Sequence, residues 1–479
     1  VTRLIGLDVG TSSVKAIAID PDGAVLGIAE RSYPRSAPRP GWSEQEPDDW
    51  WRAASEALDE LGGPDAAGIG LTGQMHGLVA LDASERPLRP AILWNDGRSQ
   101  RQCEEIEERI GLERLISLTG NRALAGFTAP KLLWLREHEP DVYARIAHVL
   151  LPKDYVRLKL TGEHAIDVAD ASGTLLFNVA ERAWSDEVLD ALAIDRRWLP
   201  RVLESPEVSG TTGDGVPVAA GAGDQAAGAL GVGVVSQGDP VSVVLGTSGV
   251  VFAALDGYEH DREARVHAFC HAVPGAWHVM GVMLSAAGSL EWLHGIVGAS
   301  YDDLLADAAR WEPGAEGLLF APYLWGERTP HADPDARGAF VGLSGRHDRG
   351  ALARAVLEGV AFGLRDALDL VAELGGAARA GRVSGGGSRS ELWLEIVASA
   401  LELPLEVTAV DEGAAYGAAL LGGVAAGVWQ DPREAVSASV EVRRVVEPRP
   451  EWVAAYAEAR ERFRQLYPAL RPLQADPPA

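Results

Sequence analysis

The sequence predicts an α/β protein built from two related lobes, and two observations carry that expectation. Short β-rich runs alternate with helical stretches along 479 residues, more chain than one ordinary core can use. The run LDVGTSSV at 7–14 also returns as VVLGTSGV at 243–250, so a strand, a Gly-Thr-Ser turn and a second strand occur twice.

The first copy opens with β-rich runs at 3–9 and 14–19, and the turn DPDG at 20–23 leads into AVLGIAE, which together predict a three-strand antiparallel meander. A helix is expected at 48–61 behind Pro47, then a strand at 67–71 ending in GQMHG. Pro130 opens the helix KLLWLREH, whose apolar positions fall on one face. VPVAAGAGDQAAGALGVGV runs from a strand through a Gly-rich turn into an Ala-rich helix. SQGDP at 236–240 then reads as the hinge, dividing the chain into lobes 1–236 and 237–479. Helices are expected over 285–310 and 348–374, with another starting near Ser390 behind SGGGS. The small residues of DEGAAYGAAL at 411–420 suit a helix made for close packing, a structural rather than chemical role. AYAEARERFRQLYPAL reads as an exposed amphipathic helix followed by a frayed Pro-rich tail.

With 43 basic and 69 acidic residues the formal charge is -26, which argues against nucleic acid or an anionic membrane as partner. An anionic nucleotide can bind only where backbone N–H groups, hydroxyls and a divalent cation outweigh that field locally. Cys103 and Cys270 lack the spacing of a zinc site or disulfide framework and are expected to be buried thiols. The chain shows neither a basic stretch leading into an apolar one nor an apolar run of about 18 residues, so a cytoplasmic location is expected.

Only four lysines occur, Lys15, Lys131, Lys153 and Lys159, and none follows a glycine, so a GxxxxGK[ST] phosphate loop is absent. Gly10-Thr11-Ser12-Ser13 and Gly246-Thr247-Ser248-Gly249 offer another cradle, in which glycine admits phosphate oxygens to backbone N–H groups and hydroxyls. Each taken alone is equally a plain hairpin turn. Asp8 ends the first strand, and Val244 takes its place in the repeat; that asymmetry suits a Mg2+-associated carboxylate or an ordinary strand-end aspartate. Gly221-Ala222-Gly223-Asp224-Gln225-Ala226 matches the GxGxxA dinucleotide pattern. A carboxylate inside the loop and the absence of an acidic residue some 20 positions on count against that reading. Asp224 is better read as the base that takes a proton from an attacking hydroxyl, and an ordinary aspartate of pKa about 3.9 is already ionised for that task.

His76 in GQMHG is either a structural histidine or a neutral partner for a polyol. Trp94-Asn95-Asp96-Gly97-Arg98 suits a sugar cleft or a buried network equally. Ser384-Gly385-Gly386-Gly387-Ser388, between a strand and a helix, is a flexible turn or a bed for adenine or ribose.

Taken in order, GLDVGTSSVK, GQMHG, ILWNDGR, FTAPKLLW, LLPKDY, GAGDQAAG, LGTSG, GERTPH, SGGGSRSE and EGAAYGAA resemble the FGGY carbohydrate kinases across nearly the whole chain, with GQMHG, WNDGR and GERTPH similar to the xylulokinase branch. The resemblance implies two actin-like (ribonuclease H-like) lobes and transfer of the ATP γ-phosphoryl group, with Mg2+, to the terminal hydroxyl of D-xylulose. It implies Asp224 as catalytic base and Asp8 beside metal and phosphates. Met75, His76 and Gln225 would then contact the sugar, and Thr11, Ser12, Lys15, Gly246, Thr247, Gly386 and Gly387 would serve the nucleotide. Glycerol kinases carry Arg-Glu at Met75-His76, which argues against glycerol. Some xylulokinases have Asn at Gln225, a change able to alter sugar preference. The alternatives are a kinase for another ketose or polyol, such as ribulose, and a non-catalytic actin-like or sugar-sensing protein. The resemblance also suggests a homodimer.

Overall fold

The computed structural model describes residues 2–411 and 413–474; the Pro-rich tail lies outside them. The first sheet contains β1 (Leu4–Val9), β2 (Ser13–Ile19), β3 (Val25–Ser32), β4 (Gly68–Gly73), β5 (Val208–Thr211), β6 (Pro217–Ala219) and β7 (Ala222–Gly223). Its order is β5-β6-β4-β1-β2-β3, with β7 also beside β4. The second sheet contains β8 (Val241–Leu245), β9 (Gly249–Leu255), β10 (His267–Cys270), β11 (Trp277–Met283), β12 (Gly381–Ser384), β13 (Leu405–Thr408) and β14 (Val442–Val446), in the order β10-β11-β9-β8-β12-β13-β14.

The duplication is real at the level of topology. In each sheet three consecutive antiparallel neighbours (β1, β2, β3; β8, β9, β11) are extended by two parallel strands (β4, β6; β12, β13). The two Gly-Thr-Ser hairpins differ in register. Val9 pairs with Val14, whereas Leu245 pairs with Gly249, so the second loop closes one residue earlier.

The helices are α1 (Pro47–Glu60), α2 (Thr128–His138), α3 (Pro152–Thr161), α4 (Val168–Ser172), α5 (Asp224–Gly231), α6 (Ala287–Val297), α7 (Tyr301–Ala308), α8 (Arg349–Glu373), α9 (Glu391–Leu401), α10 (Gly413–Ala425) and α11 (Pro450–Phe463), besides shorter ones. Strand alternation sorts the two faces of the first sheet. Ile5, Leu7 and Val9 pack in one core with Trp50, Ala53 and Ala57 of α1, while Leu4 packs in another with α5 and α10. Gly6 and Gly70 lie on the α10 side, where a Cβ on either would overlap the backbone of Ala415 or Ala418. Gly417 of α10 meets Ala227 of α5 in the same way. The small-residue helix therefore reaches from the second half of the chain onto the first sheet at backbone contact distance.

Two helices differ from expectation. Every residue of α2 from Thr128 to Leu135 is buried, rather than one face, because residues on all its sides belong to one core that also includes Phe252 and Phe269 of the second sheet. The terminal helix begins earlier than expected, breaks at Arg464–Gln465, and buries Trp452, Tyr456, Ala459 and Phe463 in the second-lobe core; only its polar face is exposed. Cys103 and Cys270 are buried and free, and among the described residues no helix is long and apolar enough to cross a membrane.

Candidate active site

Strands β1, β4 and β7 are mutually parallel and end at the same edge of the sheet, where open α/β sheets place their ligands. Asp8, Thr72 and Ala222 form one row, and Val9, Gly73 and Gly223 the next. Beyond these rows stand the Gly10 loop, the turn Gln74-Met75-His76, and Asp224 as first residue of α5. Asp8 and Ala222 are thus about 10 Å apart at the backbone, two strand spacings of about 4.8 Å, and Asp224 stands two residues beyond Ala222, about 12 Å from Asp8.

Asp224 is half-buried, and its carboxyl is pushed up to about 7, first by burial and then by the Asp8 charge; the backbone and side chain of Gln225 oppose the rise. This corrects the expectation of an unperturbed aspartate, because sequence alone does not display the burial or the second carboxylate. Burial also raises Asp8 to about 6, against the pull of Lys15, its partner across β1 and β2. Asp8 Oδ1 and Thr72 Oγ1 are buried in adjacent positions of one row and lack a hydrogen-bond partner among the described residues. A pair of orphaned oxygens beside the Gly10 loop fits a hard cation such as Mg2+.

The loop after β1 is braced from four directions. Gln74 Nε2 donates to Gly10 O (3.1 Å), Gln45 Nε2 to Thr11 O (2.7 Å), Tyr33 Oη to Gly10 O (2.5 Å) and Trp94 Nε1 to Thr11 Oγ1 (3.0 Å). Ser12 is exposed at its tip. Gln45 and Tyr33 escaped sequence reasoning because neither belongs to a local motif. The WNDGR segment divides its labour. Trp94 joins the loop, while Asp96 accepts from Ser43 N (2.6 Å) and pairs with Arg98 (2.7 Å), which also meets Glu44 (2.7 Å).

Met75 packs directly over Gly223, where an added Cβ would fall 2.8 Å from Met75 Cγ, so this side chain adjoins Asp224. His76 has φ 68°, a left-handed conformation rarely taken by a non-glycine residue. Its carbonyl is held by Lys131 Nζ (2.9 Å) and Thr128 Oγ1 (3.1 Å) from α2. Its Nδ1–H donates to Gly173 O (2.7 Å). Burial drives its pKa well below the ordinary value, so the ring is neutral and Nε2 keeps a lone pair. Lys131 is itself pulled down to about 7 by burial and also donates to Gly126 O (2.6 Å).

The remaining predicted residues form a second group. Ala287 N donates to Gly246 O (2.8 Å) and Ala286 N to Thr247 O (2.8 Å), seating the second loop on the start of α6. A Cβ on Gly385 would come within 2.7 Å of Leu245 C, so the turn bearing Gly386 and Gly387 abuts Gly246. Among the described residues no hydrogen bond or ion pair joins this group to the one around Asp8 and Asp224.

Asp154, Asp167 and Asp170 also cluster, but not as a metal site. The Lys153 ammonium already lies 2.7 Å from a carboxylate oxygen of each, and all four side chains are fully buried. Arg157 joins them through Asp154 (2.6 Å) and donates to Ala220 O, just upstream of β7. Gly173, which holds His76, follows α4, which carries Asp170. This cluster thus underlies two of the three strand-end segments that form the site.

A duplicated pair of RNase H-like sheets, with polar side chains gathered at parallel strand ends, defines an actin-like two-lobe protein. The chain belongs to the FGGY family of carbohydrate kinases: the family's N-terminal domain matches residues 3–231 and its C-terminal domain residues 241–426. It is therefore an ATP-dependent carbohydrate kinase. The chain is 44% identical to the xylulose kinase of Escherichia coli K12, covering 98% of this chain and 100% of that one. It is also similar to the crystal structure of a xyloylose kinase from Brucella ovis (44% identity, TM-score 0.92, 98% and 100% covered) and to that of the xylulose kinase from Rhodospirillum rubrum (32%, TM-score 0.91, 98% and 99% covered).

Proposed function

We propose that the chain transfers the γ-phosphoryl group of ATP to the terminal hydroxyl of D-xylulose, giving D-xylulose 5-phosphate. The observation that carries this reading is a half-buried carboxylate, Asp224, tuned to about 7 at the strand ends of a carbohydrate-kinase fold, beside Met75 and a neutral His76. The xylulose kinases it resembles over nearly their full length support the choice of sugar. Asp224 accepts the proton of the attacking hydroxyl as the phosphorus–oxygen bond forms and ADP leaves. Met75, His76 and Gln225 bind the sugar. Thr11, Ser12 and Lys15 receive the terminal phosphates, and Gly246, Thr247, Gly386 and Gly387 the rest of the nucleotide. Asp8, with its unpartnered Oδ1, would hold Mg2+ directly or through water. That ion, when bound, neutralises charge on the β- and γ-phosphates.

We take the lobes to divide at 236/237, with α10 reaching back across the boundary. A cytoplasmic homodimer that binds no nucleic acid is the accompanying proposal, supported on the last point by the charge of -26. The second reading is another ketopentose such as D-ribulose, since the amide at Gln225 is a position able to alter sugar preference. ADP release measured side by side with D-xylulose, D-ribulose and glycerol decides between them. Fastest turnover on D-xylulose is expected, and preference for D-ribulose or glycerol would refute the assignment.

A further inference from the structure

Among the described residues the deeply buried arginine side chains are paired. Arg98 is held by Asp96 and Glu44, Arg157 by Asp154 and Arg354 by Glu358. Arg328 is half-buried, desolvated enough for its guanidinium pKa to be lowered, yet among the described residues that group forms no ion pair and donates no hydrogen bond. Its neighbour Glu327 does not compensate. Glu327 Oε1 is taken by the backbone N–H groups of Leu284 (2.9 Å) and Arg328 (2.8 Å), and burial raises this carboxyl to about 8, leaving it mostly protonated at neutral pH. A half-buried cation beside an uncharged acid keeps its N–H groups free for whatever occupies the space it faces.

The surroundings of Arg328 indicate what that is. With Trp94, Gly126 and His267 it lines a cavity of about 410 Å³ between the first-half segment 94–126 and the second-half segment 264–334. Gly126 lets the two sides approach: a Cβ there would overlap Trp94 O and lie 3.9 Å from Arg328 Nη2. Trp94 is the residue whose indole holds the Thr11 hydroxyl. On the same wall, His267 Nδ1 meets Asn121 Oδ1 (2.6 Å). Asn121 Nδ2 is committed to the carbonyls of Thr119 and Ala268, so His267 must be the donor. Burial lowers its pKa to about 3, so the ring is neutral and Nε2 is an acceptor. Phe127 bridges His76 (4.6 Å between ring centroids) and His267 (5.9 Å). Phe127 therefore links the Met75-His76 turn, which packs against Gly223, to the wall that His267 shares with Arg328.

We infer that Arg328 and His267 form the subsite for the keto end of the sugar, remote from the hydroxyl that receives phosphate. The guanidinium fork donates to the C1 hydroxyl and C2 carbonyl oxygens, and His267 Nε2 accepts from the C1 hydroxyl. Because Arg328 comes from the second half of the chain, sugar binding draws the two halves together over the substrate. The inference rests on the ketopentose reading above and deepens it.

The test is steady-state kinetics of the wild type, Arg328→Gln and Arg328→Lys with ATP and either D-xylulose or 1-deoxy-D-xylulose, which lacks the C1 hydroxyl. For Arg328→Gln the KM for D-xylulose is expected to rise about 10- to 100-fold, the effect of losing a charge-assisted hydrogen bond, while kcat, the KM for ATP and sugar-independent ATP hydrolysis change less than about threefold. The rise should be smaller with the deoxy sugar, and Arg328→Lys should lie between; if Arg328→Gln does not fold, Arg328→Lys carries the comparison. A variant with an unaltered sugar KM, an equal rise in the KM for ATP, or the same penalty on both sugars overturns the subsite. A wild-type enzyme idle on every ketopentose overturns the substrate reading instead, and the two failures are told apart by that control.

Discussion

Replacing Asp8 by asparagine should lower the titration of Asp224 without touching Asp224 itself. In the native protein Asp224 titrates near 7 because burial disfavours its charge and Asp8 adds like-charge repulsion. Asp8 titrates near 6 and is therefore mostly ionised when Asp224 loses its proton. At the separation of about 12 Å set by the strand rows, and an effective dielectric constant of about 20, the repulsion is about 1.4 kcal/mol. That energy corresponds to about one pH unit. Burial remains in the variant, so the Asp224 midpoint should fall from about 7 to about 6 and stay above that of a free aspartate. Carbon-13 NMR of the Asp224 carboxyl reads the midpoint directly and does not depend on turnover, which Asp8→Asn will weaken. In the wild type the base must be unprotonated, so kcat/KM for the sugar should rise with pH and level off above about 7. A midpoint that stays put or climbs in Asp8→Asn would show that the two carboxylates do not sense one another, and the pairing at the strand ends would have to be abandoned.

Three further outcomes follow from the same geometry. Asp224→Asn should cut kcat by about 10²- to 10⁴-fold yet stabilise the protein. Because the folded-state pKa is raised, the stability associated with protonated Asp224 is fully present below about pH 4 and is lost as pH rises through about 7. In urea melts the variant's advantage should therefore be absent at pH 4 and reach about 1–3 kcal/mol at pH 8, the figure being discounted for partial exposure; an advantage that grows on acidification would contradict the sign. Lys153→Met leaves three buried carboxyl groups without their shared ammonium and should cost about 3–5 kcal/mol by chemical denaturation; a neutral result would mean the cluster is not buried in solution. Gly70→Ala drives a methyl group into the Ala418 carbonyl of α10 and should lower stability by about 1–3 kcal/mol, with a lower Tm in calorimetry; an unchanged Tm would mean that α10 does not lie on the sheet at backbone contact.

The parts of the site legible in the sequence were those written in contiguous residues. A strand, a glycine-flanked turn and a carboxylate at 221–224 mark Asp224, and the repeated Gly-Thr-Ser turn marks both loops, because backbone conformation at such turns is set locally. Its pKa was not legible, since the charge that helps raise it arrives on another strand and the burial comes from packing. Nothing in the sequence around Lys131 or Gln45 signals that the ammonium of one holds the His76 carbonyl and the amide of the other holds Thr11. The burial of α2 on every side was hidden for a related reason: the sequence shows its apolar positions on one face, but not that Thr128 and Lys131 both bond to the His76 carbonyl inside the core.

The grip of α10 on the first sheet has a consequence for how this chain is made. Gly6 and Gly70 emerge from the ribosome early, but the helix that covers them ends at Ala425, so the N-terminal sheet must wait for most of the polypeptide before one of its faces is sealed. So distant a pairing slows folding and leaves the apolar face bearing Leu4, Ile17 and Ile19 uncovered meanwhile. Expressed alone, the first 236 residues should need residues 413–425 supplied in trans before they remain monomeric.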